Sequence, residues 1–416
     1  VQEVRIHNAA WRRDQIGVDW WYNNYMRKRI WKALAGMVLA MAVVVAVVGA
    51  VPVHSVQAPT YAPNAVAIPP RPTALQRDIV TLRETYHLPA IEGCVIRQDG
   101  IVDTAVTGVR EAGGVAAVMT SDLFHLGSMT KAMTATMLAT LVQEGKLSWD
   151  MTMAQAFPSW VSVMNPRYRD VTLEQLLTHT SGLPRYTTDP EWASIPAFAG
   201  TPTQQREAFA RMLLKGSPIG PAGIYRYSNA GYAVAAAIAE HVTNESWEQL
   251  MQERLFGPLN MHAAYGWPLL SGPDEPWGHR IKDGVVTPHD PADLYKVPTV
   301  LAPAGDVSMS ILDYSVFARL HLAGLEGKDG AILSSAIIKR LHQPVLAYSC
   351  GWHEELIDNV PTSWHSGTCD TFHTFVLLQP SRDIGIILFT NADGDPTAVQ
   401  ALFGELSKLA AVYAGH

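Results

Sequence analysis

The chain has 416 residues, 48% hydrophobic and 17% charged, which is enough apolar sequence for a large core and rules out a disordered or fibrous protein. Its formal charge is −7, and the basic surplus is confined to the N-terminus: seven Lys or Arg against three acids in residues 1–32 leave −11 for the remainder. An acidic body of this kind disfavours nucleic acid as a partner.

Residues 1–25 show no helix or strand pattern and read as an extension upstream of the true start. From Met26 to Ala58 a basic head (Arg27, Lys28, Arg29, Lys32) precedes an uncharged run from Ala33 to Val51 and small residues at Val56 and Ala58. That is the layout of a signal peptide. The run also approaches the length of a membrane span, so the alternative is an uncleaved anchor, the one case that would make a membrane a partner. In both cases the domain that follows is expected outside the cytoplasm, periplasmic or secreted. Residues 59–72 form a tether rich in Pro and Ala.

The folded domain is expected over 73–416. TALQRDIVTLRETYHL reads as its first helix, and IEGCVIRQDGIVDTAVTGVRE as a hairpin about Asp99 and Gly100. HLGSMTKAMTATMLATLVQEGKL reads as a turn and then a helix, with Met133, Met137, Leu138 and Leu141 as its apolar stripe and Gly145 as its stop. Helical and loop-rich sequence fills about 146–300. Strands return near Ala347, and an amphipathic helix over about 397–413 closes the chain. Strands at both ends with helices between predict an α/β (α+β) domain in which one sheet, built from both termini, carries an inserted helical lobe. Of the three cysteines, Cys350 and Cys369 would face each other if the turn at Asp358 to Pro361 closes a regular hairpin; buried free thiols are the alternative.

Three short motifs carry chemistry. In SMTK, Ser128 stands three residues before Lys131 at a helix start, so the amine reaches the hydroxyl across one turn. Unpaired N–H groups there favour developing negative charge, and burial would lower the lysine pKa toward that of a useful base. YSN, Tyr227 to Asn229, offers a phenol and an amide at the start of a second, small-residue helix, and HSG, His365 to Gly367, lies between two β-type runs.

Taken in this order, the motifs resemble the serine β-lactamase and penicillin-binding family, in the branch of class C β-lactamases, D-alanyl-D-alanine carboxypeptidases and esterases. The likeness runs from about Thr73 to the C-terminus, with LLTHTSGLP, AGDVSMSILDYSVFARL and GIILFTNAD as supporting strings. It implies an antiparallel sheet flanked by helices, and a serine hydrolase that cleaves ester or amide bonds through an acyl-enzyme on Ser128. Lys131 and Tyr227 would share the proton. Asn229 would hold Lys131 and contact the acyl side of the substrate. His365, Ser366, Gly367 and Thr368 would line the substrate and oxyanion region, the amides of Ser128 and Thr368 forming the oxyanion hole. His179 and Ser181 of THTSG would be structural. No cofactor or metal is implied, and the partner is a small ester, peptide or β-lactam substrate. Where the β-lactamase pattern has lysine this chain has His365, whose charge fades above neutral pH. The expected emphasis is therefore a carboxylesterase, with carboxypeptidase or β-lactamase activity as the alternative and a non-hydrolytic acylated sensor as the remote one.

Rival chemistries lack their signatures: the sequence contains no GxSxG elbow, no HExxH and no glycine-rich phosphate loop. His353-Glu354-Glu355 reads as an exposed strand end rather than a metal site.

Overall fold

The computed structural model describes residues 71–290, 297–346 and 348–415. The extension, the signal or anchor segment and nearly all of the tether lie outside them. Among the described residues no helix is long and apolar enough to cross a membrane.

Helix α1 (Ala74–Thr85) starts where Thr73 caps the amide of Gln76. The hairpin of β1 (Ala90–Arg97) and β2 (Gly100–Gly108) follows as expected from Asp99-Gly100. From the other end of the chain come β8 (His353–Ile357), β9 (Val360–Thr368), β10 (His373–Gln379) and β11 (Ile384–Thr390). The six strands form one antiparallel sheet in the order β2-β1-β11-β10-β9-β8. Its central strands are apolar on both faces because both are covered. On β11, Ile384, Ile386 and Leu388 pack with α1 and the closing helix α7 (Pro396–Ala414), while Ile387 and Phe389 face the helical lobe.

Helix α2 (Thr130–Gln143) runs through that lobe, and every residue from Thr130 to Leu141 is buried. The expected stripe of Met133, Met137, Leu138 and Leu141 is therefore only part of a fully covered helix. Its threonines survive burial because each hydroxyl is bonded: Thr134 donates to the Pro303 carbonyl at 2.8 Å, Thr136 to that of Ala132 at 2.8 Å and Thr140 to that of Met137 at 2.7 Å. Helices α3 (Pro202–Lys215), α4 (Asn229–Thr243), α5 (Ile311–Leu325) and α6 (Ser335–Leu341) complete the layer.

The stretch 146–300 is not purely helical. It contains β4 (Ala263–Tyr265), β5 (Gly278–Lys282) and β6 (Val285–His289). β5 and β6 form a hairpin whose Asp283 and Gly284 both have positive φ, the geometry that an Asp-Gly turn supplies. β4 joins β3 (Phe124–His125) through β7 (Val307–Met309), and β12 (Ala392–Asp393) pairs with β5. All three cysteines are free and buried. The β8–β9 register sets His353 opposite Trp364, and β8 begins only at His353, so Cys350 is not carried round to face Cys369.

Candidate active site

Ser128 lies in a 3-10 turn, Gly127–Met129, that leads straight into α2. The turn is pressed backbone to backbone on the end of β9. A Cβ added at Gly367 would come within 1.9 Å of the Leu126 carbonyl oxygen and 2.8 Å of the Ser128 nitrogen; one added at Gly127, where φ is +50°, would come within 2.5 Å of the Thr368 nitrogen. Only glycine fits either position, and the fit brings the amides of Ser128 and Thr368 together. Thr374 ties the turn to β10 by donating to the Leu126 carbonyl at 3.0 Å, and His125 Nδ1 accepts the Gly127 amide at 3.3 Å.

Lys131 is fully buried, with Nζ 2.9 Å from Ser128 Oγ and 2.7 Å from the Ala304 carbonyl. Burial drives its pKa well below the usual lysine value. Tyr227 is hydrogen-bonded to Ser128, and Lys131 Nζ lies 4.8 Å from its ring centre. Burial moves this phenol the other way, well above 10. These opposite shifts favour a neutral amine and a neutral phenol as the resting pair. The Tyr227 ring rests on His179, centre to centre 4.2 Å, and His179 Nδ1 accepts the backbone amide of the next residue, Ser228, at 3.1 Å. His179 thus acts on the YSN backbone, the structural role the resemblance implied.

Asn229 opens α4 and lines the cavity, but it does not hold Lys131. Its Nδ2 donates to the Tyr186 carbonyl at 2.7 Å, and its Oδ1 is buried without a partner. The carbonyl of Ala304 takes the anchoring role.

The third motif divides by strand alternation. Gly367 meets the nucleophile turn, and Thr368 lines the cavity. His365 is 3% exposed and does not line the cavity: its Nε2 lies 2.9 Å from the Tyr348 hydroxyl, and its Nδ1 2.5 Å from the Ser366 carbonyl. Burial pushes its pKa well below the usual histidine value, which favours the neutral ring. His365 therefore does not line the substrate region as the resemblance implied. Ser366 points to the opposite face of the sheet, into a groove with Trp364, Phe375 and Phe403.

Behind the site runs a buried polar chain that the sequence reading missed. Glu354 Oε1 lies 3.0 Å from His342 Nδ1, His342 Nε2 2.8 Å from His321 Nδ1, and His321 Nε2 3.0 Å from Thr136 Oγ1, which donates to the Ala132 carbonyl on α2. Because burial favours an uncharged Glu354, the chain is read as a protonated Glu354 donating to His342, which donates to His321, which donates to Thr136. Ser363 donates to Glu354 Oε2 at 2.7 Å. Burial raises Glu354 to about 8, against the opposing pull of the bonds from Ser363 and Ser349, and burial lowers His342 to about 3. Of His353-Glu354-Glu355 only Glu355 is exposed as expected, whereas Glu354 turns inward to His342 and Ser363. No cluster of three or more metal-ligating side chains occurs among the described residues.

The cavity over Ser128 measures about 250 Å³ and is bounded by Tyr227, Asn229, Arg185, Trp192, Leu301 and Thr368, among others. A serine hydroxyl bonded to a buried amine, with two backbone amides beside it, is the arrangement of a class of serine hydrolases. The chain belongs to the beta-lactamase family, whose model matches residues 75–409. It is 28% identical over 346 residues to penicillin-binding protein 4 of Amycolatopsis lactamdurans, covering 78% of this chain and 86% of that one. It is 27% identical over 327 residues to the unguisins hydrolase ungD' of Aspergillus campestris, covering 74% of this chain and 59% of the fungal protein. The fold matches the octameric penicillin-binding protein homologue from Pyrococcus abyssi at TM-score 0.65 (22% identity, 80% of this chain and 76% of that one). It matches SurE at TM-score 0.67 (22% identity, 82% and 76%).

Proposed function

We propose that the protein is an exported serine hydrolase that cleaves esters through an acyl-enzyme on Ser128. The observation that carries this reading is the fully buried Lys131 Nζ, 2.9 Å from Ser128 Oγ with burial depressing its pKa. Its lone pair accepts the hydroxyl proton as Oγ attacks the substrate carbonyl. The oxyanion forms beside the amides of Ser128 and Thr368. Tyr227 protonates the departing alkoxide and is reprotonated from Lys131, leaving an ester on Ser128. Water then adds with its proton passing to the same pair, and collapse expels Ser128 and releases the acid. Asn229 flanks the acyl side.

Ester cleavage is favoured because an alkoxide or phenoxide leaves more readily than an amine, and because His365 supplies no charge to the cavity. D-alanyl peptides or β-lactams are the second reading, supported by the penicillin-binding relative. The test is a fluorophosphonate probe followed by peptide mass spectrometry. The adduct is expected on the peptide containing Ser128 and lost in Ser128→Ala; undiminished labelling of that variant refutes the assignment. N-terminal sequencing of secreted protein, expected to begin at Pro59, tests export.

A further inference from the structure

Burial of His365 leaves open which group sets the charge preference of the cavity. Among the described residues that line it, Arg185 is the one cation. Its side chain is exposed and forms no ion pair or hydrogen bond with any described residue. The one acid among the described lining residues, Asp370, is engaged by Arg280 at 3.1 Å. Arg185 is thus the charge of the lining left without an ion-pair partner among the described residues, although the chain as a whole carries −7.

The backbone at Arg185 is fixed by the start of α4. Ser228 Oγ donates to the Pro184 carbonyl at 2.6 Å, the Asn229 amide to the Arg185 carbonyl at 2.8 Å, and Asn229 Nδ2 to the Tyr186 carbonyl at 2.7 Å. Trp192 Nε1 donates to the same Tyr186 carbonyl at 2.7 Å. Three successive carbonyls are thus pinned by the segment that carries Tyr227, while the Arg185 side chain is exposed. Its root stands beside Asn229 rather than beside the β9 end, and Trp192 supplies an apolar wall next to it.

We infer that Arg185 is the specificity residue of the cavity, binding a carboxylate at the far end of the acyl group, so that the preferred substrates are half-esters of dicarboxylic acids. This rests on the acyl-enzyme reading, with Asn229 on the acyl side. A guanidinium pairs with a carboxylate through two parallel hydrogen bonds, and a partly enclosed cavity strengthens the pair relative to open water.

Three chromogenic esters test it: mono-4-nitrophenyl adipate, charged at the acyl end; 4-nitrophenyl hexanoate, the neutral ester of equal chain length; and 3-carboxy-4-nitrophenyl hexanoate, charged on the leaving group. The expected ratio of kcat/KM for adipate over hexanoate is about tenfold or more at low salt, shrinking as salt screens the pair. Arg185→Gln should bring the ratio near one, Arg185→Glu should invert it, and Arg185→Lys should keep most of it. A wild-type ratio near one, a ratio unmoved by Arg185→Gln, or a preference for charge on the leaving group overturns the assignment. If no ester is cleaved and Ser128 takes no fluorophosphonate, the acyl-enzyme reading fails instead. Calorimetric binding of monomethyl adipate, expected for the wild type and weakened at least tenfold in Arg185→Gln, then still decides the role of Arg185, and equal binding refutes it.

Discussion

Replacing Glu354 by glutamine should change how stability depends on pH, by an amount that follows from the buried chain behind the active site. In the folded protein Glu354 titrates near 8, against an ordinary value of 4.5, because burial disfavours its charged form. A folded pKa raised above the unfolded one contributes stability that is fully present below the unfolded value and is lost as pH rises through the folded one. Each pH unit in that window is worth about 1.4 kcal/mol, so the whole window is worth about 5 kcal/mol. His342, lowered to about 3 by burial, acts in the opposite sense below pH 6.5. The wild type should therefore show a stability plateau between about pH 4.5 and 6.5, then lose about 2 kcal/mol by pH 8. Glutamine is neutral at every pH and can donate to His342 as protonated glutamate does. Glu354→Gln should gain on the wild type steadily from pH 4.5 to 8, so that the difference between the two shifts by about 5 kcal/mol. Urea unfolding followed by tryptophan fluorescence at half-unit pH steps measures this directly. Parallel curves, with a difference independent of pH, would refute a neutral Glu354 and with it the proposed direction of the hydrogen-bond chain.

Lys131→Met should abolish ester hydrolysis yet raise the melting temperature at pH 7, because the folded wild type must shed a proton that the unfolded chain retains; the gain is about 2–4 °C per kcal/mol relieved and fades toward pH 10, and calorimetry across that range checks it. Gly367→Ala forces a Cβ against the Leu126 carbonyl and should lower kcat by about 10² or more through displacement of the nucleophile turn, as steady-state kinetics would show. Gly404→Ala, in the exposed face of α7 with nothing within 4 Å of the added carbon, should instead stabilise by about 1 kcal/mol in chemical denaturation.

The placement of Ser128, Lys131 and Tyr227 was legible because each sits at or beside a helix start whose local spacing tertiary context did not alter. The role of His365 was not, since a motif match carries no account of which face of a strand is buried. Alternation would have placed Gly367 with His365 and sent Ser366 to the other side, and that signal was in the sequence. The Asp283-Gly284 hairpin was likewise readable as a two-residue turn between short β-type runs, but the helical character of its surroundings masked it. Arg185 directly follows the LLTHTSGLP string, yet nothing in its residue type separates a cavity wall from a solvated loop. Glu354 was misread because an acid on a strand is usually exposed, and only the folded chain brings His342 and Ser363 to it.

The register of β1 against β11 bears on how the protein comes to exist at all. Ile91 pairs with Thr390, so a strand apolar on both faces waits for a partner about 300 residues later in the chain. Until that partner arrives, β1 offers an open edge and two greasy faces to any neighbouring chain. Closure of the sheet, and with it the meeting of Ser128 with Thr368, belongs to the end of folding rather than its start. Recovery of activity after denaturation should therefore be a late event, and its yield should fall as protein concentration rises, because intermolecular strand pairing competes with the intramolecular partner for the same edge.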